Sequence, residues 1–139
     1  MERGVVVKDL SFREVEHGSG SGSRINNQEA IVIVDSVVWK DVWNRIQGFS
    51  DAHGVLLFAE PPAVDFNKET IVVISRGRCF RKENGIEVKR VVEEDDTVHV
   101  QVQLTKSVLG RMAPIAITYP YRIIAIPSCG KPIAIVLGQ

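Results

Sequence analysis

The residues that could carry chemistry are few and lie scattered along the 139-residue chain. The three histidines, His17, His53 and His99, show no spacing typical of metal ligands, such as His-x-x-x-His. A hydrolase would need His53 or His99 to converge with a serine or aspartate from a distant strand. Cys79 and Cys129 are too few for a disulfide framework, and two free thiols are favoured over a bridge. The sequence therefore predicts no catalytic residue, no metal site and no cofactor, and hence no enzyme.

Two segments resemble ligand-binding loops but lack the residues that such loops require. The glycine- and serine-rich run at residues 17–23 has no lysine after Gly22 and is followed by a predicted strand. A P-loop needs Gly-Lys-Ser/Thr at the start of a helix. The acidic turn at residues 93–96 lacks the alternating acidic positions and the central glycine of an EF-hand loop. We interpret the first segment as a surface loop and the second as a solvated hairpin tip.

The most suggestive charge feature is a basic segment between positions 76 and 90, with six basic and two acidic side chains. It follows a predicted central strand, where loops often carry function. Such a segment could bind a carboxylate or phosphate compound, with an aromatic ring available for stacking. A solvated loop in a neutral protein is the simpler interpretation. The candidate residues for binding a ligand or a partner are Arg76, Arg78, Phe80, Arg81, Lys82 and Arg90.

The composition indicates one neutral domain. The chain has 17 basic and 17 acidic side chains, which argues against general electrostatic binding to nucleic acid. Its longest uncharged run, residues 112–121, contains two prolines and is half the length of about 20 residues that a membrane-spanning helix needs. The first residues lack the apolar stretch of a secretory signal. We expect a single domain over residues 1–139, cytoplasmic as written and exported only if a signal has been removed, with no nucleic-acid or membrane partner.

Alternation of apolar and polar side chains predicts that most of the chain is β-strand. Residues 97–104 alternate strictly, and residues 86–92 do so until Arg90 interrupts the apolar row. The acidic residues 93–96 between them are too polar to bury, so an antiparallel hairpin is predicted. The continuous apolar run at residues 71–74 predicts a central strand covered on both faces. The predicted strands outside the hairpin are residues 5–8, 11–15, 30–34, 55–58, 70–75, 115–119, 121–126 and 133–137.

One segment, at about residues 37–47, has the spacing of an amphipathic helix. Ser36 is a predicted N-cap, and Gly48 is a typical stop signal. Three turns are marginal in isolation, so the helix should pack its apolar stripe onto the sheet. We therefore predict an α+β fold: a mostly antiparallel β-sandwich or strongly bent sheet with one short helix packed on it. The stripe consists of Trp39, Val42, Trp43 and Ile46.

The order of these features resembles that of a known family. A strand that ends at residues 12–16 leads to the glycine-serine loop, a further strand and the tryptophan-bearing helix. A Val-Asp-Phe stretch then opens at Val64 and runs into the central strand, and a Pro-Tyr strand comes late, at residues 119–126. Over most of its length the chain is therefore similar to the C-terminal domain of the protease complex subunit PrcB family.

The resemblance implies a role without catalysis. The family is known mainly as an accessory, non-catalytic component associated with a surface protease. The leading hypothesis is therefore a binding or assembly module that acts through protein–protein contacts. Exposed β-edges would suit self-association or the addition of a strand from a protein partner. The alternative is a small anionic-ligand-binding protein that uses the basic segment at residues 76–90.

Overall fold

The computed structural model describes residues 7–18, 28–47, 60–81, 85–105 and 115–138, without the side chains of residues 47, 80, 81, 115 and 116. The predicted strand at residues 55–58, the first residues of the strand at 5–8, Gly48, His53 and most of the glycine-serine run lie outside this part. The described residues form ten strands and one helix: β1 (Lys8–Asp9), β2 (Arg13–Gly18), β3 (Gln28–Ile33), α1 (Ser36–Gln47), β4 (Glu69–Arg76), β5 (Cys79–Arg81), β6 (Gly85–Glu93), β7 (Val98–Thr105), β8 (Ile115–Thr118), β9 (Tyr121–Pro127) and β10 (Ile133–Gly138).

Hydrogen bonding divides these strands into two four-stranded sheets and one isolated pair. The first sheet has the order β1-β6-β7-β10, the second sheet has the order β2-β9-β4-β3, and β5 pairs with β8. Each of these pairings is antiparallel except that of β10 with β7, which is parallel. Together with α1, this architecture confirms the predicted α+β, mostly antiparallel fold.

The second sheet is covered on both faces, by α1 on one and by the first sheet on the other. Side chains alternate along β4 and β9, so neighbouring residues of one strand belong to two different cores. Ile71 and Ile123 pack with α1, whereas Val72 and Ile124 pack with the first sheet, and all four are completely buried. The structure therefore has three layers, and the prediction of a central strand covered on both faces is confirmed.

The sequence predicted Ser36 as the N-cap of α1, but Asp35 caps the helix. The Asp35 carboxylate accepts a hydrogen bond from the backbone N–H of Val38 at 2.9 Å, and its carbonyl accepts one from the N–H of Trp39 at 3.1 Å. The cap satisfies an N–H group that the first turn leaves free, and its negative charge favours the positive end of the helix dipole. The predicted stripe is buried with no residue more than 8% exposed: Trp39, Val42, Trp43 and Ile46.

The hairpin of β6 and β7 is confirmed, and it carries a bulge that explains the interrupted apolar row. Val88 and Arg90 pair with adjacent residues of β7, so Lys89 is an extra residue in β6. One inserted residue moves every following side chain to the other face of the strand. Val91 is therefore buried in the core between the sheets, while Arg90 is exposed.

The first predicted loop and the cysteines also have defined positions. Strand β2 extends through Gly18, so the first two residues of the loop predicted at 17–23 belong to a strand, because His17 pairs with Arg122 of β9. Cys79 and Cys129 are both free thiols, in agreement with the favoured interpretation. Within the described ranges, α1 is too short and too polar to cross a membrane, and no other helix occurs there.

Candidate functional site

Arg76, the first of the predicted binding residues, links the two sheets. It ends β4, and its guanidinium donates hydrogen bonds to the backbone carbonyls of Gly85, at 2.8 Å, and of Thr105. Gly85 and Thr105 form a pair at one end of the β6–β7 hairpin. Arg122 of β9 acts similarly, because its Nε donates to the carbonyl of Ile86 at 2.7 Å. Both guanidinium groups are thus engaged within the fold, and an anionic ligand would have to compete with these carbonyls.

Arg90 lies on another part of the molecule. It pairs with Asp9 of β1 through two hydrogen bonds, Nε to Oδ1 at 2.5 Å and Nη2 to Oδ2 at 3.1 Å. The hydrogen bond from Arg90 holds the pKa of the Asp9 carboxyl below its ordinary value. Gly85, which Arg76 contacts, is five positions from Arg90 along β6, about 16 Å at the rise of an extended strand. The structure therefore does not bring Arg76 and Arg90 to one site.

The remaining candidate residues follow a sharp turn after β4. Gly77 has a φ of 82°, in the left-handed region that glycine adopts most readily. Arg78 comes next and is exposed, and β5 then begins. The side chains of Phe80 and Arg81 and the whole of Lys82 lie outside the described part. A site formed by these residues with Arg78 stays a prediction.

One side of the sandwich, which we call the guarded side, is protected against pairing with another strand. The edge strands β1 and β2 both lie there, because only residues 10–12 connect them. Strand β1 has two residues. Strand β2 has a register shift between Glu14 and Glu16 and also carries Arg13 and His17. Shortness, charge and bulges are the features by which proteins prevent edge strands from adding further strands.

An ion pair reinforces the guarded side. Arg13 of β2 reaches past β9 to Glu69 of β4, and its Nε and Nη2 each lie 2.9 Å from a carboxylate oxygen. These hydrogen bonds lower the pKa of Glu69 and raise the pKa of Arg13. The carboxylate of Glu69 is therefore charged more readily in the folded than in the unfolded chain.

Replacing Glu69 by glutamine is expected to lower the free energy of unfolding at neutral pH by at most about 1 kcal/mol, because the pair is partly solvated. Since the pKa of Glu69 is lower when folded, its contribution is complete above the ordinary carboxyl pKa and disappears as the pH falls through the folded value. Urea unfolding of both chains should differ near neutral pH and coincide near about pH 2. An equal difference at both pH values would contradict the assignment.

The opposite side, which we call the open side, lacks this protection. Its edge strands are β3 and β10, and no strand within the described ranges pairs with their outer edges. Strand β10 contains no charged residue, and β3 contains one, Glu29. Four apolar side chains of the open-side strands and their ends are 42–63% exposed: Val32, Val34, Val136 and Leu137.

A cleft of about 370 Å³ lies between β3 and the start of β10. Its polar lining is already engaged, because the Thr70 hydroxyl lies 3.0 Å from the hydroxyl of Ser128. Lys131 lies 2.9 Å from the Glu93 carboxylate, and hydrogen bonding to that group raises the pKa of the Lys131 ammonium. The cleft therefore presents a mainly apolar surface. Its apolar lining residues are Val32, Val34, Ile126, Pro127, Pro132 and Ile133.

A wider groove of about 670 Å³ runs beside α1, between the helix and residues 60–66. Trp39 lies at its base and donates a hydrogen bond from Nε1 to the carbonyl of Pro62 at 3.0 Å. Lys40 and Glu60 form an exposed ion pair at 3.0 Å on its rim. The groove thus marks where residues 60–66 pack on the helix. Nowhere in the described part do three or more histidine, cysteine or acidic side chains gather as metal ligands.

The sequence predicts both open-side strands, β3 and β10, but does not predict that they lie at sheet edges. The signal was available in residues 132–138, which contain no charged side chain. Such a strand needs protection only if it lies at the edge of a sheet. A central strand can have the same composition, so the sequence did not distinguish the two cases.

Comparison with protein families finds a match for the central and later part of the chain. Residues 70–127 match the family model described as PrcB C-terminal, which confirms the predicted resemblance for that part of the chain. The match runs from β4 to β9 and so includes the hairpin and both central strands of the second sheet. Helix α1 and the open-side strands β3 and β10 lie outside it. No curated protein and no solved structure matches the chain.

Proposed function

We propose that this chain, whose residues 70–127 match the PrcB C-terminal family, is a non-enzymatic assembly module that binds protein through its open side. The family match supports an association with a protease complex. Accessory subunits act by contact, so the surface to identify is one that favours contact with another chain. Among the described surfaces, the open side has that character, because unprotected edges accept an added strand.

The contrast between the two sides of the sandwich carries this proposal. The guarded side combines a two-residue strand with a charged, bulged one. The open side presents an uncharged strand, β10, beside exposed valines of β3 and its end. If both sides were equally exposed to solvent, the edge strands of both would need the same protection against the addition of further strands. Their difference supports a function in which a protein covers the open side.

The anionic-ligand alternative draws less support from the geometry. Arg76 and Arg90 are engaged with backbone carbonyls and with Asp9, on separate parts of the molecule. Arg78 is exposed and follows the turn at Gly77. We therefore place the assembly function first.

Photo-crosslinking tests the proposal directly. We expect a benzophenone amino acid at Val136 or Val32 to form covalent protein adducts in the cells from which the chain derives, because these side chains border the edges that no described strand pairs with. Mass spectrometry of the adducts identifies the protein at the contact. The same probe at Val38 is the matched control, since Val38 on α1 is 41% exposed and Val136 is 42% exposed.

The expected result is adducts at Val136 and Val32 that are absent or much weaker at Val38 and at Glu16 of the guarded side. Adducts of equal yield at all four positions would indicate random collision and contradict the proposal. The absence of adducts at both open-side positions would contradict it as well.

A further inference from the structure

The direction of the backbone groups along β10 can be assigned. The N–H of Val98 in β7 donates to the carbonyl of Pro132 at 2.8 Å, so this carbonyl points towards β7. The N–H and C=O of one residue point to the same side of a strand, and the side alternates from residue to residue. Ile133, Ile135 and Leu137 therefore direct their N–H and C=O groups away from β7, where no described strand accepts them.

These free groups match a second copy of the same strand. In an antiparallel pair centred on Ile135, each Ile135 lies opposite its counterpart, and Ile133 lies opposite Leu137 of the second copy. All three residues have outward-pointing backbone groups, so the pairs would exchange about six hydrogen bonds. On the other face of the strand, Ala134 would lie opposite Val136. Apolar side chains meet apolar side chains on both faces, and no ionisable group is brought into the contact.

We propose that β10 of one copy pairs antiparallel with β10 of a second copy, joining two first sheets into one continuous sheet; this inference rests on the proposed assembly function. The twofold arrangement brings two open sides face to face. In the second sheet of each copy, Val32 and Val34, which are 43% and 63% exposed, then face the same residues of the other copy. The contact thus brings the apolar edges of both layers towards the second copy.

The absence of charge along β10 favours this occupant over a charged strand of another protein. The partner strand must be uncharged at its inward-pointing positions, because Ile133 and Ile135 pack into the core between the sheets and would lie beside those side chains. The chain itself supplies such a strand in β10. An edge like that of β2, with Arg13, Glu14 and Glu16, would place charges against this apolar surface.

Sedimentation velocity over a concentration series tests the dimer. We expect a reversible monomer–dimer equilibrium, and we expect Val136→Lys to raise the dimer dissociation constant at least about tenfold, because a lysine on an edge strand opposes the addition of a further strand. Val38→Lys is the matched control of equal exposure and should leave the constant unchanged. Near-ultraviolet circular dichroism shows whether each variant keeps the parent fold.

Amide hydrogen exchange on the unaltered chain gives a second, site-resolved measurement. The amides of Ile133, Ile135 and Leu137 should become protected as the concentration rises, whereas those of Ala134 and Val136 should be protected throughout. A strict monomer at high concentration, or a dimer that leaves the first three amides unprotected, would overturn the inference. If the chain is monomeric but the probe at Val136 captures a different protein, the inference fails and the proposed function survives. If it captures no protein at all, both fail.

Discussion

Replacing Trp39 by alanine should lower the free energy of unfolding by about 3–5 kcal/mol, the usual cost of removing a large buried aromatic ring. Trp39 is 2% exposed and contacts the ring of Trp43 edge-on, with centroids 5.6 Å apart. Its Nε1 also donates a hydrogen bond to the carbonyl of Pro62. This bond holds residues 60–66 on the helix. Urea unfolding followed by far-ultraviolet circular dichroism measures the loss without depending on tryptophan fluorescence.

Two comparisons test whether the loss comes from these contacts. Val37→Ala, at a site 78% exposed on the same helix, should change stability by less than about 0.5 kcal/mol. Trp39→Phe should cost about 1 kcal/mol more than Trp43→Phe, because Trp43 Nε1 has no hydrogen-bond partner among the described residues. A loss below about 1 kcal/mol for Trp39→Ala would mean that α1 does not pack on the second sheet as described.

Alanine at either of two neighbouring positions in β9, Ile123 or Ile124, should lower the free energy of unfolding by about 2–5 kcal/mol. Successive side chains of a strand point to opposite faces, so in a sheet with one wet face only one of them would be costly. Here Ile123 packs under α1 and Ile124 packs against the first sheet, and both are completely buried. Chemical unfolding of the two single variants measures each core separately.

The control is Val38→Ala, whose side chain is 41% exposed and which should stay within about 0.5 kcal/mol of the parent. If one of the two isoleucine variants were as mild as this control, one face of the second sheet would be solvated and the three-layer arrangement would be wrong. Large losses in both would support it.

The bulge in the β6–β7 hairpin is visible in the sequence only as an interruption of the apolar row. The break in the apolar row at Arg90 is visible in the pattern, but the pattern alone gives no cause. The cause is Lys89, which has no partner in β7 and shifts the following side chains by one position. A bulge is defined by two strands together, so it could be recognised only once their register was known.

The basic segment shows the same limit for the candidate site. Arg76 and Arg90 are close in sequence and were grouped for that reason. In the fold, Arg76 reaches carbonyls at one end of the hairpin, whereas Arg90 pairs with Asp9 of β1. Each arginine binds groups that are distant in sequence but close in the fold. The local composition therefore could not predict its partners.

Local pattern was sufficient for the type of most elements. The period of two predicted β6 and β7, the continuous apolar run predicted β4, and the i, i+3, i+4 spacing predicted α1, because the burial of each face imposes its pattern on the sequence. Tertiary structure alone decided which strands lie at an edge. Strands β9 and β10 are both rich in isoleucine and largely apolar. Among the described strands, however, β9 lies between β2 and β4, while β10 pairs only with β7. Strand order depends on packing between segments far apart in the chain, and so the position of β10 at an edge emerged only from the fold.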